Sequence, residues 1–318
     1  MASAEDDESL SLLMSMGFDS TQVQQALQIG GGNVERAVEC LLGDNNRSTS
    51  VVIGNTSRTS SGNVTTISKY ADDYSQLPLV ESEISQYSNV LGTSACTAIA
   101  LTLVHNCLSQ LICNKDAETV IDSTLLTTSV IEGIQLYNEL KSNNNGDGAE
   151  HASVEELMAA CLSSGKSIIS TLKLFPNSPR QGILSSSTSY NKHMGIEALL
   201  AQCQIDATTS ADATEPYIAV VITKPPETVL VILPNNIASS TNTNSKFILI
   251  DSHPRPQQLA PHFPTGSYAL FHPTLSSLVT SLQEIFLVTE LGDGVPELMQ
   301  MMYNSFDIYP FHQSREEE

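Results

Sequence analysis

Across 318 residues, 14 lysines and arginines stand against 35 aspartates and glutamates, a formal charge of −21. That balance argues against a general affinity for nucleic-acid backbones or anionic membranes and favours partners with basic surfaces. With 41% hydrophobic residues, the chain can bury one substantial core and still carry a small second module. Residues 1–8, MASAEDDE, contain neither the basic nor the apolar segment of a secretory leader, and no later stretch approaches the ~18 apolar residues of a membrane span. A soluble, monomeric protein of the cytoplasm and/or nucleus is expected. Cys40, Cys96, Cys107, Cys113, Cys161 and Cys203 are widely scattered, with no C-x-x-C pair and no histidine at zinc-finger spacing. Reduced thiols are therefore expected, without disulfide framework, metal or cofactor.

Residues 6–43 read as a minimal three-helix bundle. Leu10, Leu12, Leu13 and Met14 lie on the first helix, which Gly17 ends; a second helix covers residues 20–29. After Gly30, Gly31 and Gly32, Asn33 can cap a third, with Val34, Ala37, Val38 and Leu41 at core spacing. Met16-Gly17-Phe18 and the run GGNVERAVECLL over residues 31–42 resemble the two marks of the ubiquitin-associated (UBA) domain. In that family the loop and the end of the third helix dock on the hydrophobic patch of ubiquitin. The resemblance implies Met16, Gly17, Phe18, Leu41 and Leu42 as contacts, with ubiquitin and ubiquitinated proteins as partners. The acidic residues nearby, among them Asp19, Glu35 and Glu39, suit an apolar patch rimmed by basic side chains.

Residues 44–68 are rich in Ser, Thr, Asn and Gly without core periodicity and read as a flexible linker. A coil of that length spans roughly 25–30 Å, enough for one module to hold a ubiquitin while the other works nearby. A second domain is expected over residues 69–312. Its first marked feature is the stretch QYSNVLGTSAC, residues 86–96, leading into a helix apolar nearly all round through Leu111. Thr93 or Ser94 is the expected cap. Cys96 falls in the first turn, where unpaired amides and the positive end of the helix dipole favour a thiolate. Gly92 and Thr93 are expected to line a channel narrow enough for little beyond a substrate backbone.

The middle of the chain reads as one long helix or two short ones over residues 117–140, then helices over 153–163 and 192–204, with a loop over 176–190. Four strand-like runs follow at residues 217–223, 228–233, 246–251 and 267–271, then a closing helix over 275–289. The third run ends in Asp251-Ser252-His253. Side chains two apart on a strand share a face, which sets a carboxylate beside an imidazole. Pro254 and Pro256 are read as stopping the strand so that His253 sits at its exposed end. Of the other histidines, His105 lies on the central helix, His262 and His272 in proline-bordered loops, and His151, His193 and His312 in polar settings.

Helices first and a mostly antiparallel sheet after, with cysteine early and histidine late, is the order of a papain-like α+β cysteine protease domain. An Asp-oriented imidazole can take the cysteine proton, and a side-chain amide can steady the developing oxyanion. Gln86 is the candidate donor, with Gln76 a second choice. The strand, Asp-Ser-His, nearby arginine and Tyr/Ala/Leu/Phe strand further resemble the ubiquitin protease of the herpesvirus large tegument protein and its cellular relatives. That resemblance implies Cys96 as nucleophile, His253 and Asp251 as base and orienter, Gln86 at the oxyanion hole, and hydrolysis after the C-terminal glycine of ubiquitin. A non-catalytic ubiquitin-binding adaptor, or a protease for another ubiquitin-like modifier, remains the alternative reading of the same residues.

Overall fold

The computed structural model describes residues 77–113, 116–143, 151–165, 171–185, 193–210, 215–235, 246–292 and 294–313. The chain divides into two units, Met1–Val64 and Thr65–Glu318, and the described residues belong to the second. The expected bundle, linker, ubiquitin contacts and Gln76 lie outside them.

The scaffold is a mixed helix and antiparallel-sheet domain. Its strands are β1 (Leu79–Glu81), β2 (Leu172–Leu174), β3 (Arg180–Ile183), β4 (Tyr217–Lys224), β5 (Glu227–Pro234), β6 (Phe247–Asp251), β7 (Tyr268–His272) and β8 (Ser305–Gln313). They join in the order β1-β7-β6-β5-β4-β8-β2, with β3 also on β8, and every pairing is antiparallel. The helices are α1 (Cys96–Cys113), α2 (Ala117–Val120), α3 (Ser123–Asn143), α4 (Val154–Ser163), α5 (Ile196–Thr209), α6 (Leu275–Ile285) and α7 (Glu297–Tyr303).

β4 and β5 read as unbroken apolar runs because both faces of the sheet are covered. Val221, Leu230, Ile232, Ile248 and Ile250 pack into a cluster with Ile99, Leu101, Val104 and Leu108 of α1 and with α3. Val220, Ile222, Val231 and Leu249 pack oppositely, with Leu200 of α5 and Leu278 and Leu282 of α6. α1 is apolar all round because it is walled on both sides, by the sheet and by α3. At Gly133 of α3 an added Cβ would stand 2.5 Å from Ile99 Cα, so that glycine permits the close helix crossing.

Several elements differ from the sequence expectation. Of the two readings of residues 117–140 the structure has two helices, a short α2 and a long α3 that runs on to Asn143, because the Asp122 carboxylate caps the second by accepting from Leu125 N at 2.8 Å. Helix α5 ends at Thr209, later than the expected 204, and α6 stops at Ile285 instead of 289. Within the expected loop over 176–190 lies β3, and His272 sits in β7 instead of a loop. The strand β8 carries no clear strand signature in the sequence, because Pro310 interrupts its pattern. In the sheet Pro310 falls between the register of β3, which ends at Ile308, and that of β2, which resumes at Phe311. Opposite Val220 of β4, its carbonyl turns to the other side and accepts from Phe175 N at 3.0 Å, so its nitrogen faces that gap and its missing N–H breaks no bond to β4.

Candidate active site

The site forms where four segments meet at one rim of the sheet: the start of α1, the β4–β5 turn, the end of β6 and the turns before α1. Cys96 is the first residue of α1. The helix opens with the Ala95 carbonyl accepting from Ile99 N at 2.9 Å, so neither Thr93 nor Ser94 is the cap. Cys96 is 3% exposed. Its Sγ lies 3.5 Å from the carbonyl of Pro226 in the β4–β5 turn, an acceptor available to the thiol but not to the thiolate. Next to it, Thr97 Oγ1 meets Thr228 Oγ1 at 3.2 Å, and Thr228 meets Thr223 at 3.2 Å, so hydroxyls stitch the helix start to the hairpin.

Asp251, fully buried at the end of β6, is the hub of a hydrogen-bond network. Its Oδ1 accepts from His253 N at 2.8 Å and faces His253 Nδ1 at 2.6 Å; its Oδ2 accepts from Arg255 Nε at 2.8 Å and from the Tyr268 hydroxyl at 3.4 Å. The aspartate and histidine do meet, though by a different route from the one expected. β6 ends at Asp251, so His253 lies beyond the strand, and an Asx-type turn, not strand alternation, brings the imidazole back. Nor is His253 at an exposed end: it is 3% exposed, covered on one side by the Tyr87 ring at 5.8 Å in an edge-on arrangement.

Arg255 explains the proline-flanked sequence after the histidine. Its backbone N–H donates to the Pro264 carbonyl at 2.7 Å, turning its side chain into the interior. There it bridges two acids: Nε holds Asp251, while the two terminal nitrogens hold both oxygens of Glu227 at 3.0 and 3.1 Å. Glu227 follows Pro226 directly. One guanidinium thus ties the carboxylate behind His253 to the hairpin tip beside Cys96, in the planar two-point geometry that arginine favours.

The charges follow from these contacts. Burial pushes the Asp251 carboxyl up, but the Arg255 and His253 charges and the His253 hydrogen bonds overcome it and hold the group at about 2. Burial likewise lowers His253, yet the Asp251 charge and hydrogen bond, with Cys96 adding, bring it to about 10. For Cys96, burial raises the thiol while hydrogen bonds to His151 and His253, the His253 charge and Thr228 lower it to about 6. The last two values describe one thiolate–imidazolium pair from its two ends.

Gln86 is also brought here. Ser82 N bonds Ser267 O at 2.8 Å and Gln86 N bonds Ser252 O at 3.1 Å, carrying the segment before α1 onto β7 and the end of β6. The Gln86 side chain is buried, and its Oε1 accepts from Ser252 Oγ at 2.9 Å, which fixes its amide in one orientation, with the Tyr87 side chain also bonded to it. At Gly92 an added Cβ would stand 2.2 Å from the Gln86 carbonyl, so the glycine lets the turn fold tightly over that residue. His151, set aside in the sequence as a polar-context histidine, is placed in hydrogen-bonding contact with Cys96. No local pattern marks it, since it precedes α4 by only a few residues and reaches the cysteine through tertiary structure alone. Among the described residues no group of three or more His, Cys, Asp or Glu is positioned to hold a metal ion.

Comparison with known proteins agrees with the bundle reading at the N-terminus, where residues 5–41 match the UBA/TS-N domain family. The chain carries a UBA domain. Among solved structures it is similar to the ubiquitin-specific protease encoded by the murine cytomegalovirus tegument protein M48, determined in complex with a ubiquitin-based suicide substrate. That similarity has a TM-score of 0.46 at 14% identity and covers 76% of this chain and 88% of the viral one. No curated protein sequence matches the chain.

Proposed function

We propose that the chain is a cysteine deubiquitinase, cleaving the isopeptide or peptide bond after the C-terminal glycine of ubiquitin. The observation that carries this reading is the buried Asp251–His253 pair beside a cysteine whose thiol is lowered to about 6 at the start of a long helix. The UBA domain supports ubiquitin as the modifier, since its family binds that protein; in this reading Met16, Gly17, Phe18, Leu41 and Leu42 recruit the conjugate.

The Cys96 thiolate attacks the glycine carbonyl. Gln86, its amide oriented by Ser252, donates to the oxygen as it gains charge, together with backbone N–H groups at the start of α1. The tetrahedral intermediate collapses with transfer of the His253 proton to the leaving lysine amine, giving a thioester and a neutral imidazole. That imidazole then takes a proton from water as the water attacks the thioester, releasing the ubiquitin carboxylate and restoring the ion pair. Asp251 stays ionised throughout and fixes the ring through Nδ1, leaving Nε2 for the chemistry.

An electrophilic ubiquitin C-terminal probe tests this. Labelling should be stoichiometric on Cys96 and absent from Cys96→Ala. No labelling of the wild-type chain by ubiquitin, set against labelling by another modifier's probe, would assign the enzyme to that modifier; silence across the panel would leave an adaptor.

A further inference from the structure

The C-terminal part of the domain carries an apolar surface that the chemistry above does not use. No residue of α7 is buried. Leu298 and Met302, one turn apart on that helix, are 68% and 66% exposed. Leu287 and Val288, in the segment after α6, are exposed as well. These two segments are tied together at Thr289 and Asn304. The Asn304 side chain accepts from Thr289 N at 2.7 Å and donates to Thr289 O at 2.9 Å, a pair of hydrogen bonds that pins Thr289 beside the end of α7. Exposed aliphatic and methionine side chains on adjoining segments mark an interaction site, and methionine adapts to a partner's contour better than branched side chains do.

Charge decides what kind of partner fits. Between Arg255 and Arg315 the sequence has no lysine or arginine, while Glu290 and Glu297 flank the patch and are exposed. A second copy of this chain, itself at −21, would meet like charge, as would a nucleic acid or an anionic membrane. The complementary surface is apolar with a basic rim.

Topology decides where the partner sits. β4 runs toward the Pro225-Pro226 turn that touches Cys96, and β8 runs back from that end, with Asp307 opposite Thr223. α7 leads directly into the start of β8, so the patch stands on the same rim of the sheet as Cys96. Two strand spacings, roughly 10 Å, separate the start of β8 from β5. A folded protein whose tail reached the cysteine would have its body near this rim.

From this we infer that the surface of Leu287, Val288, Leu298 and Met302 docks the folded body of the ubiquitin being cleaved, through ubiquitin's basic-rimmed apolar patch. This rests on the deubiquitinase reading and adds a site separate from both the UBA domain and the catalytic cluster. The test uses the full chain carrying Phe18→Ala to silence the UBA contact, assayed on ubiquitin bearing a C-terminal coumarin amide and on a short coumarin peptide ending in Gly-Gly. Leu298→Ser with Met302→Ser should raise KM for the ubiquitin substrate about tenfold and hold kcat within about twofold. Peptide turnover should not change. The apolar exchange Leu298→Met with Met302→Leu should keep the parental KM, and Ile205→Ser, an exposed aliphatic on α5, should do the same. Docking at this patch is refuted by an unchanged ubiquitin KM in the serine variant, or by an equal loss on the peptide. It is equally refuted if the parental chain self-associates and the serine variant does not while KM holds, which would place a second copy on the patch. A wild-type chain inert toward both substrates and the ubiquitin probe would remove the deubiquitinase reading, and this one with it.

Discussion

The first turn of α1 and its middle make an instructive pair, because each holds a buried cysteine on the same helix. Cys96 and Cys107 are 3% and 0% exposed, yet the thiol of Cys96 comes down to about 6 whereas burial alone pushes Cys107 up to about 12. Burial penalises both thiolates. What differs is that Cys96 faces His253, His151 and Thr228, while Cys107 sits in the apolar cluster with α3. Reactivity in this helix is therefore a property of partners and position, not of depth.

The sharpest way to break that contrast is to exchange the outcomes. Cys96→Ala should abolish hydrolysis of a ubiquitin substrate, a loss on the order of 10⁵-fold, while Cys107→Ala leaves turnover intact and costs about 1–2 kcal/mol in a denaturant titration. His253→Ala should lower kcat by on the order of 10³-fold. It should also move the iodoacetamide reaction midpoint of Cys96 from about 6 toward or beyond the free-thiol value of ~8.5. A midpoint that stayed put would mean that His151, Thr228 and the helix terminus set the thiol without His253. In the wild-type chain, kcat/KM should rise as pH increases through about 6, where the thiol ionises, and fall through about 10, where the imidazolium is lost. Glu227→Ala should release the hairpin tip from Arg255 and reduce kcat roughly tenfold, with the circular dichroism spectrum preserved. The smallest effect is expected from His151→Gln: the acid limb moves up by a fraction of a pH unit, because His253 still supplies the charge.

The pattern of the chain made some parts of this legible and hid others for physical reasons. β4, β5, β6 and β7 were readable because a sheet covered on both faces demands unbroken apolar runs, and Cys96 was readable because a glycine-bounded turn leads into an apolar helix. β3, with sequence RQGI, lies at an edge where one polar face is tolerated, and Pro310 disguised β8 until its register showed that no ladder bond is lost. Asp251 and His253 were legible as a pair, but their contact depends on a turn that the alternation rule does not describe. Arg255 between two prolines looked like an irregularity and proved to be the bridge to Glu227. His151 carries no signal in one sequence, since its partner lies 55 positions away and no spacing rule connects them.

The position of β8 has a temporal consequence. This strand follows the other seven in sequence, yet it lies inside the sheet, with β4 on one side and β2 and β3 on the other. Until Ser305–Gln313 has left the ribosome, β4 presents an open edge, and the hairpin that offers Pro226 and Thr228 to Cys96 is held only from the β6 side. Contacts spanning 130 positions are slow to form in any case. A nascent chain would therefore carry Cys96 as an ordinary thiol, no more nucleophilic than its neighbours, and acquire its reactivity only once β8 has emerged and paired with β4. Nucleophilicity at Cys96 would then serve as a clock for folding, readable by pulse alkylation of ribosome-bound chains of increasing length.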